Sequence, residues 1–95
     1  MGEIDYDSYI PPYRQIAAEI ITDIERGTLR PGRAIPSEVT LIQRYGVARD
    51  TVRRAVRYLR EEGWVFTIPH RGTYVALELP TNDDTPGDRG DDSQG

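Results

Sequence analysis

The 95-residue sequence has no cysteine. Neither disulfides nor thiolate metal ligands can support its fold, and the pattern fits a reducing compartment. It has one histidine, His70, which cannot assemble a metal site without cysteine partners. No metal or cofactor is therefore expected. No run approaches the roughly 18 apolar residues of a membrane span. The N-terminus, MGEIDYDSYIPPY, is acidic and lacks the apolar core of a secretory signal. A cytoplasmic chain with no membrane partner is expected. Lysine is missing too, so all 12 basic residues are arginine. There is no cysteine nucleophile, no glycine-rich phosphate loop after a strand and no cluster of carboxylates facing a pocket. Nothing points to an enzyme.

What the sequence does have is charge in unequal places. The formal net charge is -4 and the sequence pI about 4.9. Residues 1–25 carry six acids against Arg14, a net of −5, and residues 81–95 carry five aspartates against Arg89, a net of −4. Residues 33–71 carry eight arginines against four acids, a net of +4. The acidity belongs largely to the ends, and a phosphate backbone responds to local sign.

The final stretch, TNDDTPGDRGDDSQG, has no large apolar residue and cannot offset its ordering entropy by burial. Three segments follow: an acidic arm over 1–10, a folded domain over 11–78 and a disordered acidic tail over 79–95. Pro11-Pro12 opens a first helix, whose Tyr13, Ile16, Ala17, Ile20, Ile21 and Ile24 share one face, and Gly27 ends it. LRPGRAIP reads as a loop with Leu29 and Ile35 turned inward. Ser37 suits the N-cap of a second helix, with Glu38 favourable at its positive end and Leu41, Ile42 and Tyr45 on its buried face. Gly46 interrupts, and a third helix follows with Val52, Ala55, Val56 and Leu59 inward, closed by Gly63. WVFTI and TYVAL around PHRG read as a hairpin.

The helices meeting at Tyr45-Gly46-Val47 form a candidate helix-turn-helix, whose second helix enters the major groove. At about 100° per residue from Val52, residues Arg49, Arg60, Arg53 and Arg57 fall at about 60°, 80°, 100° and 140°. They form a stripe beside the core face. Arg49 and Arg53 lie near the end that reaches base edges, and their guanidinium forks fit guanine O6 and N7. The competing reading is a solvated face of ion pairs, Asp50 with Arg53 or Arg54 and Arg57 with Glu61. The hairpin favours nucleic acid, because Arg71 on its exposed tip can enter a narrow minor groove. His70 beside it is a turn residue or a phosphate contact.

PPYRQIAAEI, RPGRAIPSE, RYGVARDTVRRAVRYLREEGWV and RGTYV, in this order, resemble the N-terminal domain of GntR-family transcription regulators over residues 11–77. The resemblance implies a mainly α fold with a small β-hairpin, a winged helix-turn-helix of three helices and a two-stranded wing. It also implies a regulator, a repressor rather than an activator by expectation, that binds double-stranded DNA as a homodimer on a short palindrome and is associated with the nucleoid. By matching positions, Arg49 and Arg53 are base readers, Thr51 contacts phosphate or a base edge, Ser37 and Tyr13 contact or position the backbone, and Arg71 and Gly72 lie in the wing. Asp50, Arg54, Arg57 and His70 complete the candidate DNA-binding set.

Three positions depart from the family pattern. Val39 stands where many members have a DNA-contacting arginine. Ala48 stands where serine or threonine caps the third helix, a loss of typically about 1 kcal/mol. Asp50 stands where serine or threonine is common; it either accepts from cytosine N4 or orients Arg53 or Arg54, the favoured reading. Family members normally continue into a ligand-binding, dimerising domain, whereas this chain stops soon after the wing. It is either an autonomous winged helix or a shortened form of a longer protein, and no small-molecule effector is expected within it. Tyr6, Tyr9 and Ile10 either pack on their own domain, the favoured expectation, or offer a dimer contact. The alternative function is a winged helix used as a protein-interaction module.

Overall fold

The computed structural model describes residues 3–80. The acidic stretch 81–95, expected to be disordered, lies outside the described residues. Three helices, α1 (Pro12–Glu25), α2 (Glu38–Tyr45) and α3 (Arg49–Glu61), precede two strands, β1 (Val65–Ile68) and β2 (Gly72–Val75). The expected helix, helix, turn, helix, hairpin order is observed.

Each helix boundary has a local cause. Pro12 occupies the first turn of α1, where its missing N–H leaves no orphan and its fixed φ suits the helix. The Pro11 carbonyl accepts from the N–H groups of Arg14 and Gln15 at 2.9 and 3.1 Å. Ser37 caps α2: its Oγ accepts from the Thr40 N–H at 3.1 Å. Gly46 ends α2 at φ 66°, a left-handed turn that glycine adopts without a Cβ penalty. The chain then reverses within three residues into α3. Ala48 holds the N-cap position of α3 with no side-chain bond to offer, and Asp50 is the one acid in the first turn.

The core forms where the helical stripes meet the hairpin. Ile16 and Ile20 of α1, Leu41 of α2, Val52 and Leu59 of α3 and Val75 of β2 are the largest fully buried side chains. α1 packs most extensively on α3, with the small residues Ala17 and Ala55 on the faces they bury. The strands pair antiparallel with Val65 opposite Val75, Phe66 opposite Tyr74 and Thr67 opposite Thr73. Val65 and Val75 enter the core, while Phe66 and Tyr74 stack at 5.9 Å between ring centroids on the other face.

Four features differ from the sequence reading. The strands are shorter than WVFTI and TYVAL. The loop 29–36 supplies a third edge: Ala34 bridges Tyr74, with Val75 N–H to the Arg33 carbonyl at 2.8 Å and Ile35 N–H to the Thr73 carbonyl at 3.0 Å. Leu79, assigned to the tail, packs against the core, as does Ile4 from the arm. Tyr6 and Tyr9 do not pack on the domain as favoured: they are 68% and 94% exposed. Gln15 instead ties the arm to α1, accepting from the Asp5 N–H at 2.9 Å and donating to the carbonyls of Asp5 and Ile10 at 3.0 and 2.8 Å.

Candidate nucleic-acid interface

The packing that buries Val52, Ala55 and Leu59 leaves the adjoining flank of α3, with Arg53, Arg57 and Arg60, turned outward. That flank, the N-terminus of α2 and the hairpin enclose an open groove of about 660 Å³. Ser37 and Glu38 line one wall, Arg53, Arg57 and Arg60 of α3 the floor, and Thr67, Arg71, Gly72 and Thr73 the other wall. Val56, expected among the core residues, is only half-buried because it also lines this groove. The structure therefore brings Ser37, Arg53, Arg57, Arg71 and Gly72 together from three separate elements.

Arg49 joins them through Glu38. Its Nη1 donates to Glu38 Oε1 at 2.7 Å, and Arg53 Nε donates to Glu38 Oε2 at 2.8 Å. One carboxylate thus holds two guanidiniums one helical turn apart, although about half or more of each arginine side chain stays in solvent. The hydrogen bond from Arg53 lowers the Glu38 pKa below its ordinary value; burial opposes this, and the Arg53 charge and the Arg49 bond add to it. The same bond raises the Arg53 pKa.

Asp50 does not orient Arg53 or Arg54 by direct contact, contrary to the favoured reading. Among the described residues the ion pairs are Arg49–Glu38 and Arg53–Glu38, and Asp50 acts on Arg53 only through space. The Arg57–Glu61 pair of the competing reading is likewise not formed among the described residues. Glu38, from the neighbouring helix, has taken the role: α3 crosses α2 so that the α2 N-terminus faces the first two turns of α3.

Arg54 points elsewhere. Its guanidinium lies 4.5 Å from the Tyr13 ring centroid, Tyr13 meets Tyr58 edge-on at 6.1 Å, and Arg14 lies 4.5 Å over Tyr58. These four side chains form a stack on the α1–α3 flank, two edge-on tyrosines with a guanidinium over each. Tyr13 and Arg54 are thus together but outside the groove lining. Thr51 is half-buried on the first turn of α3, and Val39 is 53% exposed, an apolar side chain in place of a cation.

The wing tip is a tight turn. Arg71 N–H donates to the Ile68 carbonyl at 2.9 Å, with Pro69 second and His70 third at φ 66°. Proline followed by a positive φ is the arrangement of a type II turn. His70 and Arg71 are exposed there. Behind them Arg60 Nη1 donates to Thr67 Oγ1 at 3.2 Å, and the Thr67 and Thr73 hydroxyls lie 3.0 Å apart. This chain of contacts couples the far end of the α3 stripe to the wing.

Glu38 and Arg60 are the residues that sequence reasoning left off the site. Arg60 was legible in the stripe. Glu38 was legible only as a helix-end charge, because its partners lie 11 and 15 positions away.

Known proteins agree with this architecture. The model of the family described as bacterial regulatory proteins, gntR family, matches residues 12–75. The mannosyl-D-glycerate transport/metabolism system repressor MngR of Escherichia coli (strain K12) is 48% identical over 68 residues, covering 72% of this chain and 28% of that protein. The HTH-type transcriptional repressor NagR of Bacillus subtilis (strain 168) is 38% identical over 73 residues, covering 77% and 30%. The chain thus spans less than a third of the length of these curated relatives. Among solved structures, YtrA from Sulfolobus acidocaldarius, a GntR-family transcription factor, superposes with a TM-score of 0.73 at 39% identity over 80% of each chain. The AraR DNA-binding domain in complex with operator ORX1 superposes with a TM-score of 0.69 at 37% identity, covering 70% of this chain and 81% of that one. A winged helix-turn-helix of this sequence and shape belongs to the GntR family of bacterial regulatory proteins.

Proposed function

We propose that the chain is a sequence-specific DNA-binding module of a transcriptional repressor. The observation that carries this is the joining of Ser37, Arg53, Arg57 and Arg71 around one open groove, with Arg49 anchored at its edge. α3 docks in the major groove. Arg49 and Arg53 read guanine edges there, and Thr51 and Asp50 lie beside them at the helix end that approaches the bases. The wing enters the minor groove with Arg71, while Gly72 lets the backbone come close and His70 meets phosphate. Ser37, Tyr13, Arg54 and Arg57 fix the docking angle through the DNA backbone, a positioning role without sequence content. The reading includes a palindromic operator with one chain on each half-site and residence on cytoplasmic, nucleoid DNA. The superposed AraR domain was solved on an operator, and the named relatives are repressors; both support the reading. The charged centre of the groove argues against a protein-interaction module, whose contact centre is depleted of charge.

The test is binding to a duplex selected from a random library. Arg49→Ala should relax the base preference, whereas Arg71→Ala should weaken binding across sequences. Two chains per selected duplex are expected. Full affinity and selectivity in both variants would place the docking face elsewhere.

A further inference from the structure

We propose that Glu38 sets the specificity of this domain by holding Arg49 and Arg53 as a single reading unit. The inference rests on the DNA-binding reading above and adds a residue that meets no base itself. Its basis is the two-sided geometry of the carboxylate: Oε1 takes Arg49 Nη1 at 2.7 Å and Oε2 takes Arg53 Nε at 2.8 Å. A guanidinium has five N–H donors. Each arginine gives one to Glu38 and keeps four, enough to address guanine O6 and N7 while still held. Both side chains are ordered before DNA arrives, so less of their freedom is lost on docking.

The charge has a second consequence. Glu38 is the anion facing the first two turns of α3 from α2, and Asp50 is the acid in the first turn of α3 itself. Two cations against one bridging carboxylate present less positive charge to phosphate than two free arginines. A non-cognate duplex offers the held guanidiniums no matching base edges, and its phosphates meet the Glu38 carboxylate beside them. A cognate duplex keeps the bridge. Glu38 therefore weakens non-specific binding and supports specific binding, so its effect lies in the ratio of the two.

The experiment compares wild type, Glu38→Gln and Glu38→Asp on the library-selected duplex and a scrambled duplex across a salt series, with circular dichroism as the check on folding. Glu38→Gln should bind the scrambled duplex several-fold tighter and lose about tenfold in selectivity. Its log affinity against log salt should steepen by about one on the scrambled duplex, one more phosphate contact. Glu38→Asp keeps the charge but is too short to span both arginines, so it should keep weak scrambled binding and lose affinity for the selected duplex. A purely structural role would shift melting and leave the ratio and the salt slope alone. If wild type discriminates and folded Glu38→Gln discriminates equally, the inference is wrong; should Glu38→Gln fail to fold, unchanged selected-duplex affinity in Glu38→Asp overturns it. If wild type itself does not discriminate, the base-reading function fails with it.

Discussion

Replacing Ala48 by serine should stabilise the domain by about 1 kcal/mol, the usual worth of an N-cap. The protein contains its own reference for this. Ser37 caps α2 at φ −68° and ψ 164°, and Ala48 precedes α3 at φ −69° and ψ 156°. A serine Oγ at 48 would therefore sit as Ser37 Oγ does, which accepts from the Thr40 N–H three residues on at 3.1 Å. The equivalent donor in α3 is the Thr51 N–H, now bonded only to the Ala48 carbonyl at 3.1 Å. Ala48 is exposed, so the hydroxyl displaces no packed atom. For a domain of 60–100 residues, 1 kcal/mol corresponds to roughly 4–8 °C in melting temperature. Thermal unfolding by far-ultraviolet circular dichroism reads this directly, and Ser37→Ala is the mirror experiment with a loss of similar size. An unchanged melting temperature in Ala48→Ser, beside a clear fall in Ser37→Ala, would refute the equivalence of the two caps.

Other perturbations reach different parts of the account. Leu59→Ala removes a fully buried side chain between α3 and the core and should cost about 2–5 kcal/mol by denaturant unfolding. Tyr45 donates its hydroxyl to Glu19 at 3.0 Å, and burial followed by that bond pushes its pKa up to about 12. Tyr45→Phe should thus cost about 0.5–1.5 kcal/mol near neutrality, and in wild type the benefit fades as pH rises through about 12. Glu38 has a depressed pKa, so its contribution is present above the ordinary carboxylate range and lost as pH falls through the lower folded value. Stability profiles of wild type and Glu38→Gln should therefore converge on the acid side, and parallel profiles would count against the bridge. Deleting residues 81–95 removes a net charge of −4 and should raise non-specific DNA affinity at low salt.

The parts legible in the sequence were those with local period or local chemistry. The α1 stripe from Ile16 to Ile24 and the α3 stripe from Val52 to Leu59 repeat at helical spacing, and the structure buries both. Gly46 needed only its own backbone freedom to mark the turn between α2 and α3. The parts not legible depend on separation. Ala34 pairs with Tyr74 through backbone groups, which leave no trace in side-chain pattern. Arg54 was grouped with the other α3 arginines, but its partner ring, Tyr13, comes from α1. Asp50 was the nearest acid along the chain, yet Glu38 was nearer in space, because the α2–α3 crossing rather than sequence distance decides which carboxylate meets Arg53.

The central claim is that the α3 arginines read bases from a scaffold whose wing and caps meet the phosphates. The most direct measurement is the affinity of the wild-type chain for its selected duplex and for a scrambled duplex of equal length, from low to physiological salt. Tight binding to the first, weak binding to the second and a negative salt slope on both are expected. Equal affinity for the two duplexes at every salt concentration would contradict it.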